Sequence, residues 1–255
     1  MGARITSIEQ LLERFPKTRP PLPETHRKVY VKEYRANREG ANFASAIAGR
    51  LEQWMHRRVA ALQGPAAVLE LGAGTLNHLP HEHAHAAYDV VEPFIELYAA
   101  SEHRGRVQRF YASAEEIEGA AVYDRILSIA VLEHMTDLPR ELAHACRLLK
   151  GDGVFQAGFP TEGGALWGCA WRFGTGIAYR LRTGLDYAEL MRHEHVNRED
   201  EIVAVATHFF DEVRVERFPL PARHLSLYTY LEARRPRVDR SARYLRTTGA
   251  RGSPR

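Results

Sequence analysis

Cysteine is nearly absent from this chain of 255 residues: Cys146 and Cys169 are the only two. They show neither C-x-x-C spacing nor a set of pairs, which excludes a disulfide framework and a cysteine-based zinc site. Both thiols are expected to be buried and inert. No apolar run approaches the ~18 residues of a membrane-spanning helix, and no apolar secretory segment opens the chain, so a cytoplasmic location is expected. Lysine is scarce as well, since 31 of the 35 basic residues are arginine, a bias that fits a GC-rich bacterial coding sequence. The opening MGARIT matches the loose myristoylation pattern M-G-x-x-x-[ST], but that composition argues against lipidation. No internal repeat is present.

What remains is an ordinary globular composition, 45% hydrophobic and 26% charged, in a length that suits one large domain carrying a cap. The net charge of +3 conceals an asymmetry. Residues 234–255 hold eight Arg and one Asp, leaving the preceding 233 residues at −4. This basic, Gly/Ser/Pro-punctuated tail is read as solvated and disordered, with weak contact to an anionic membrane surface as its alternative use; nucleic acid is not an expected partner.

Four prolines between Pro16 and Pro23 set residues 1–42 apart as an N-terminal arm. From Phe43 the apolar positions Ile47, Leu51, Trp54, Met55, Val59 and Leu62 recur at helical spacing. Short β-rich runs then alternate with helical patterns: AAVLEL, AYDVV, RVQRFYA, YDRILSIAV and VFQAGFP. Leu138, Leu142, Ala145 and Leu149 mark one of the helical faces. Such alternation predicts a parallel sheet covered by helices on both sides. A helix, DEIVAVATHFF, and two strands, DEVRVERFPL and HLSLYTYLEA, close the domain over residues 43–233. An insertion at 161–196, rich in Gly and Trp, is too long for an ordinary connection and is expected to cap the active face, with a homodimer contact as another use.

The segment VLELGAGTLNHLP carries the strongest chemical signal. Gly72-Ala73-Gly74 follow a strand ending near Glu70, and glycine there permits a tight turn and close approach of a ligand to the main chain. Glu92 lies 20 residues beyond Gly72, at the end of the next strand, where a carboxylate accepts hydrogen bonds from ribose hydroxyls. Pro93 is expected to open the following helix. A dinucleotide site wants a third glycine where this chain has Asn77, so a nucleoside ligand without pyrophosphate fits better than NAD.

With YDRILSIAVLEHMTDLPRELAHACRLLKGDG completing an ordered set of three motifs, residues 43–232 resemble the class I S-adenosylmethionine-dependent methyltransferases. The resemblance implies a Rossmann-like α/β fold, a mostly parallel seven-stranded sheet with a closing antiparallel hairpin, and S-adenosylmethionine as cofactor. It also implies that Gly72 and Gly74 lie against the methionine part of the cofactor, that Glu92 holds the ribose and that Ala130 and Val131 lie beside the transferred methyl, with Glu70, Ala73 and Pro93 also cofactor-binding. Leu76 stands where many members have a third loop glycine. Ala112-Ser113 replaces a frequent acid, leaving Ser113 or Glu115 for the adenine. In similar enzymes an arm covers the cofactor, which would bring Arg38, beside Tyr30, Tyr34 and Arg35, to its carboxylate.

The expected function is methyl transfer to a small-molecule acceptor, an oxygen of a sugar or other polar metabolite. A noncatalytic cofactor-binding subunit or an NAD-type protein is the alternative. An oxygen nucleophile needs a base, and histidine titrates near working pH. His134 in the LEH motif is the first candidate; His193 and His195 in MRHEHVN are the second, pointing the same way if extended, ahead of a helix capped by Asn197. No metal is expected: the His81, His83, His85 group with nearby His78 is read as solvated surface, and no carboxylate-rich metal motif is found.

Overall fold

The computed structural model describes residues 7–27, 29, 53–62, 66–82 and 85–249. Arg38, Tyr30, Tyr34, Arg35, His83, the myristoylation-like opening and the first half of the helix expected from Phe43 lie outside them. The elements in chain order are α1 (Ile8–Leu12), α2 (53–60), β1 (Ala67–Leu71), β2 (Ala87–Val91), α3 (Ile95–Tyr98), β3 (Arg109–Tyr111), β4 (Tyr123–Ile129), α4 (Leu138–Leu148) and β5 (Leu149–Pro160). The cap supplies α5 (Ala165–Ala170), α6 (Gly176–Thr183) and α7 (Tyr187–Glu194). The chain then forms α8 (Glu199–Phe209), β6 (Phe210–Pro219), β7 (Ser226–Pro236) and α9 (Val238–Gly249).

Seven strands form one sheet in the order β3-β2-β1-β4-β5-β7-β6. The first five are parallel, while β7 runs antiparallel to both β5 and β6. The expected Rossmann-like sheet and its closing hairpin are therefore present. Period-two alternation sends Leu69 and Leu71 to one face, with α1, α4 and α8. Val68, Tyr88 and Val90 go to the other, where Met55 and Val59 of α2 are fully buried. Burial of each such side chain contributes about 1.5–3 kcal/mol.

Four sequence expectations fail in instructive ways. The segment after the glycine loop is no regular helix but a run of turns ending in the 3-10 turn Leu79–His81, with Pro80 inside it. Of its described histidines, His81 and His85 are half-buried and His78 is not solvated at all. His78 and Glu82 are fully buried, with His78 Nε2 3.0 Å from Glu82 Oε1 and His78 Nδ1 3.1 Å from His56 Nδ1. Arg125 Nη1 and Nη2 donate to the two Glu82 oxygens at 3.0 and 3.1 Å. Burial, with His78 and His81 as neighbours, pushes the His56 imidazole down to about 3.

The basic tail is not disordered through 249. Residues 238–249 form α9, whose Tyr244 and Leu245 pack on the core, and Arg237 and Arg240 donate to the His208 carbonyl at the end of α8. Those arginines satisfy carbonyls that a helix C-terminus leaves without partners. The two thiols also differ from expectation: Cys146 is buried, but Cys169, in the cap, is exposed. Among the described residues no helix is long and apolar enough to cross a membrane.

Candidate active site

The C-terminal ends of β1, β2, β3 and β4 bring the sequence motifs to one edge of the sheet. Gly72 has φ +70° and Gly74 φ +52°, the left-handed region that glycine enters without strain. A Cβ on Gly72 would meet Val131 Cγ1 at 2.5 Å, whereas one on Gly74 would meet nothing within 4 Å. The first glycine thus closes the loop onto β4, and the second leaves its main chain open to a ligand. Leu76, standing where a third glycine was expected, also has a positive φ of 66°.

Glu92 joins these parts. Its Oε2 accepts from Gly74 N–H at 2.9 Å and its Oε1 from Phe94 N–H at 3.0 Å. The carboxylate is thereby held across the glycine loop, and each oxygen keeps a lone pair for a ribose hydroxyl. A nucleoside fits this cup: one glycine opens it and a fixed, buried carboxylate lies beside it. Pro93 does not open a helix; α3 starts at Ile95, with Phe94 as its N-cap. Phe94 and Ile95 stand exposed next to Glu92. Ser113 lies past the end of β3, ahead of the turn Ala114–Glu116, but Glu115 pairs instead with Arg140 at 2.9 Å.

Glu70 does not join the cup. It is buried on the Val68 face, where Tyr88 O–H donates to its Oε2 at 2.7 Å, and burial pushes its carboxyl up to about 7. Ala73 is buried under the loop. Ala130 leaves β4 with φ +56° and donates its N–H to Gly158 O at 2.7 Å, which turns Val131 and the LEH residues toward the cap.

The 3-10 turn Leu132–His134 is fixed from three sides. Asn197 is its anchor and not a helix cap: Nδ2 donates to Leu132 O at 2.7 Å and Met135 O at 2.6 Å, while α8 takes Arg198 as N-cap. The N–H groups of Val196 and Asn197 donate to Glu133 O. From the arm, Arg19 donates to His134 O at 2.7 Å, to His193 O at 3.1 Å and to Glu194 O at 3.2 Å. Lys17 donates to Val196 O and to Glu201 Oε2, both at 2.8 Å. The arm is therefore a strap binding the cap to β4.

The two histidines of MRHEHVN do not point the same way, because α7 runs to Glu194 and His195 is its C-cap. His193 turns to the arm, with Nδ1 2.7 Å from Pro20 O. His195 faces His134 edge-on, ring centroids 4.9 Å apart. Its Nδ1 lies 3.0 Å from Glu162 Oε2, which also accepts from Trp167 Nε1 at 2.5 Å. His134 Nδ1 lies 2.9 Å from Glu194 O. Burial alone would lower the His134 pKa, but the hydrogen bond to Glu194 and the charges of Glu133 and Glu194 raise it on balance.

Sequence reading missed Arg19, Glu162, Trp167 and Glu194. Their role rests on contacts between distant segments, although the charge of Glu162 just after β5 was a visible signal. Three carboxylates thus accompany the histidines: Glu133 and Glu194 stand in the same short motifs, and Glu162 joins them from the end of β5.

A family model described as "Methyltransferase domain" matches residues 43–197. Among solved structures, a Thermotoga maritima protein described as an S-adenosylmethionine-dependent methyltransferase and possible histamine N-methyltransferase superposes with a TM-score of 0.55. It is 15% identical, over 81% of this chain and 96% of that one. A possible exported protein from Bordetella parapertussis gives 0.56 at 14% identity, over 92% and 80%. Phosphoethanolamine N-methyltransferase 2 of Haemonchus contortus, in complex with S-adenosylmethionine, gives 0.51 at 13%, over 74% and 53%. These likenesses establish the shared fold. No curated protein matches in sequence.

Proposed function

Because the chain belongs to the methyltransferase-domain family, the class I S-adenosylmethionine-dependent methyltransferases, we propose that its methyl acceptor is an oxygen of a small polar metabolite such as a sugar. S-adenosylmethionine supplies, when bound, a methyl group on a positively charged sulfur. Glu92 accepts the ribose hydroxyls, and the open main chain at Gly74 admits the methionine end. Ala130 and Val131 form the floor where the acceptor meets the cofactor. The cap residues Trp167 and His195 exclude water from that floor and align the acceptor, which is the main catalytic demand of an in-line displacement.

The observation that carries the oxygen reading is the state of the two imidazoles. Each has Nδ1 engaged, His134 at a carbonyl and His195 at a carboxylate, so each keeps its lone pair on Nε2. An acceptor hydroxyl thus loses its proton at the His134–His195 cluster. Glu162 and Glu194 are engaged by Trp167, His195 and Arg19. Glu133 has an oxygen without a partner, and this favours an amine as the second reading.

Calorimetric titration with S-adenosylhomocysteine tests the cup. Wild type should bind it, and Glu92→Ala should bind at least ~10-fold more weakly, for loss of charge-assisted contacts worth ~1.5–3 kcal/mol. A panel of hydroxyl and amine acceptors then tests the atom methylated. His134→Ala and His195→Ala should each lower turnover ~100-fold or more with S-adenosylhomocysteine affinity kept. Turnover unchanged in both would remove these histidines as the base, no turnover with any acceptor would support a noncatalytic subunit, and preference for NAD would overturn the cofactor cup.

A further inference from the structure

Glu133, His134 and His195 hold more than a base requires. One ligand atom from each lies within 4.8 Å of the other two. Glu133 is 2% exposed, and its Oε2 has no hydrogen-bond partner. A buried carboxylate oxygen without a donor is costly unless something positive meets it. The nearest imidazole does not: His134 Nε2 stands 3.7 Å from Glu133 Oε1, beyond hydrogen-bond distance.

Both rings are also prepared in the same way. The carbonyl of Glu194 and the carboxylate of Glu162 accept from Nδ1–H of His134 and His195 respectively, which fixes the tautomer with a lone pair on Nε2. Histidines that ligate metals are oriented by such hydrogen bonds at the other ring nitrogen. Around them stand three carboxylates, of which Glu194 has Arg19 at 3.7 Å and Glu162 has His195 at 3.0 Å.

We propose that Glu133 Oε2 and the Nε2 atoms of His134 and His195 bind a first-row divalent cation on the acceptor side of the site. Two imidazoles with one carboxylate select such an ion over magnesium or calcium, which prefer all-oxygen sets. Ligands of one ion at ~2.1 Å lie about 3–3.5 Å apart, so the three side chains close by roughly 1 Å to take it. The remaining positions face the floor, where an acceptor hydroxyl completes the coordination. This use rests on the oxygen reading above and moves its proton step: with both Nε2 lone pairs on the ion, the metal-bound hydroxyl would release its proton to solvent instead of to an imidazole, and the oxyanion would attack the methyl carbon as the carbon–sulfur bond breaks.

The test uses full-length protein stripped with a chelator, titrated with Co²⁺ and followed by visible absorption and calorimetry, with S-adenosylhomocysteine titrated into the same samples. Wild type should take up one Co²⁺ per chain with a d–d spectrum altered by His195→Ala. Glu133→Gln should weaken uptake ~100-fold and Glu162→Gln, which weakens the support of His195 without removing a ligand, ~10-fold. Retained S-adenosylhomocysteine binding shows that a variant is folded. If wild type binds S-adenosylhomocysteine but takes up Co²⁺ no better than Glu133→Gln, the metal site is overturned and methyl transfer stands. If Co²⁺ binds as expected and S-adenosylhomocysteine does not, the metal site stands and the methyl-transfer reading falls.

Discussion

At the scale of single residues, two positive φ angles separate backbone strain from burial. Ala130 (φ +56°) is partly exposed, whereas Leu76 (φ +66°) is fully buried. An L-residue in this region costs ~1–2 kcal/mol, and the extra freedom glycine has when unfolded returns ~0.4–1 of it. Ala130→Gly should therefore leave stability unchanged or raise it by up to ~1.6 kcal/mol. Leu76→Gly should lower it by ~2–4 kcal/mol, since a lost core side chain outweighs relieved strain. Urea midpoints of the two variants check both signs. Glu70 gives a pH prediction. Its carboxyl is raised to about 7 when folded, above its value in the unfolded chain, so its contribution to stability is fully present below the unfolded pKa and is lost as pH rises through about 7. Glu70→Gln removes that dependence. Between pH 5 and 8 wild type should lose ~2–3 kcal/mol relative to the variant, measured by denaturation at both pH values.

At the scale of elements, α9 shows why charge counting misled the sequence reading. Its arginines advertise a solvated tail, yet Ser241, Tyr244 and Leu245 repeat at three- and four-residue spacing and turn to the core, a period the eight arginines obscure. The helix lies against α4, which carries Cys146. Burial pushes the Cys146 thiol up to about 11, while Cys169 is exposed. A thiol reagent should label one cysteine of the native protein within minutes. Removal of residues 238–255 should make the second reactive and lower the melting temperature, both read on one sample. The segment after the glycine loop failed for another reason: Pro80 breaks the pattern, and the buried Glu82–Arg125 pair fixes the chain by a tertiary contact that no local window contains.

At the scale of the whole molecule, the mostly parallel seven-stranded sheet and its closing hairpin were legible because they depend on short contiguous patterns. Gly72, Gly74 and Glu92 sit at strand ends that periodicity alone can locate. The acceptor side was only half legible: His134 and His195 were visible as residues, but their partners Arg19, Glu162 and Glu194 come from the arm and both ends of the cap. The contacts of Arg19 with Glu194 and of Lys17 with Val196 span most of the chain. That strap sets an order of events during synthesis. Residues 17 and 19 leave the ribosome first, and the carbonyls they hold emerge some 115 to 180 positions later. A nascent chain halted before residue 190 would own the proposed cofactor residues Gly72, Gly74 and Glu92 but only half of the proposed acceptor site, so competence would arrive in two instalments, nucleoside recognition first and chemistry last.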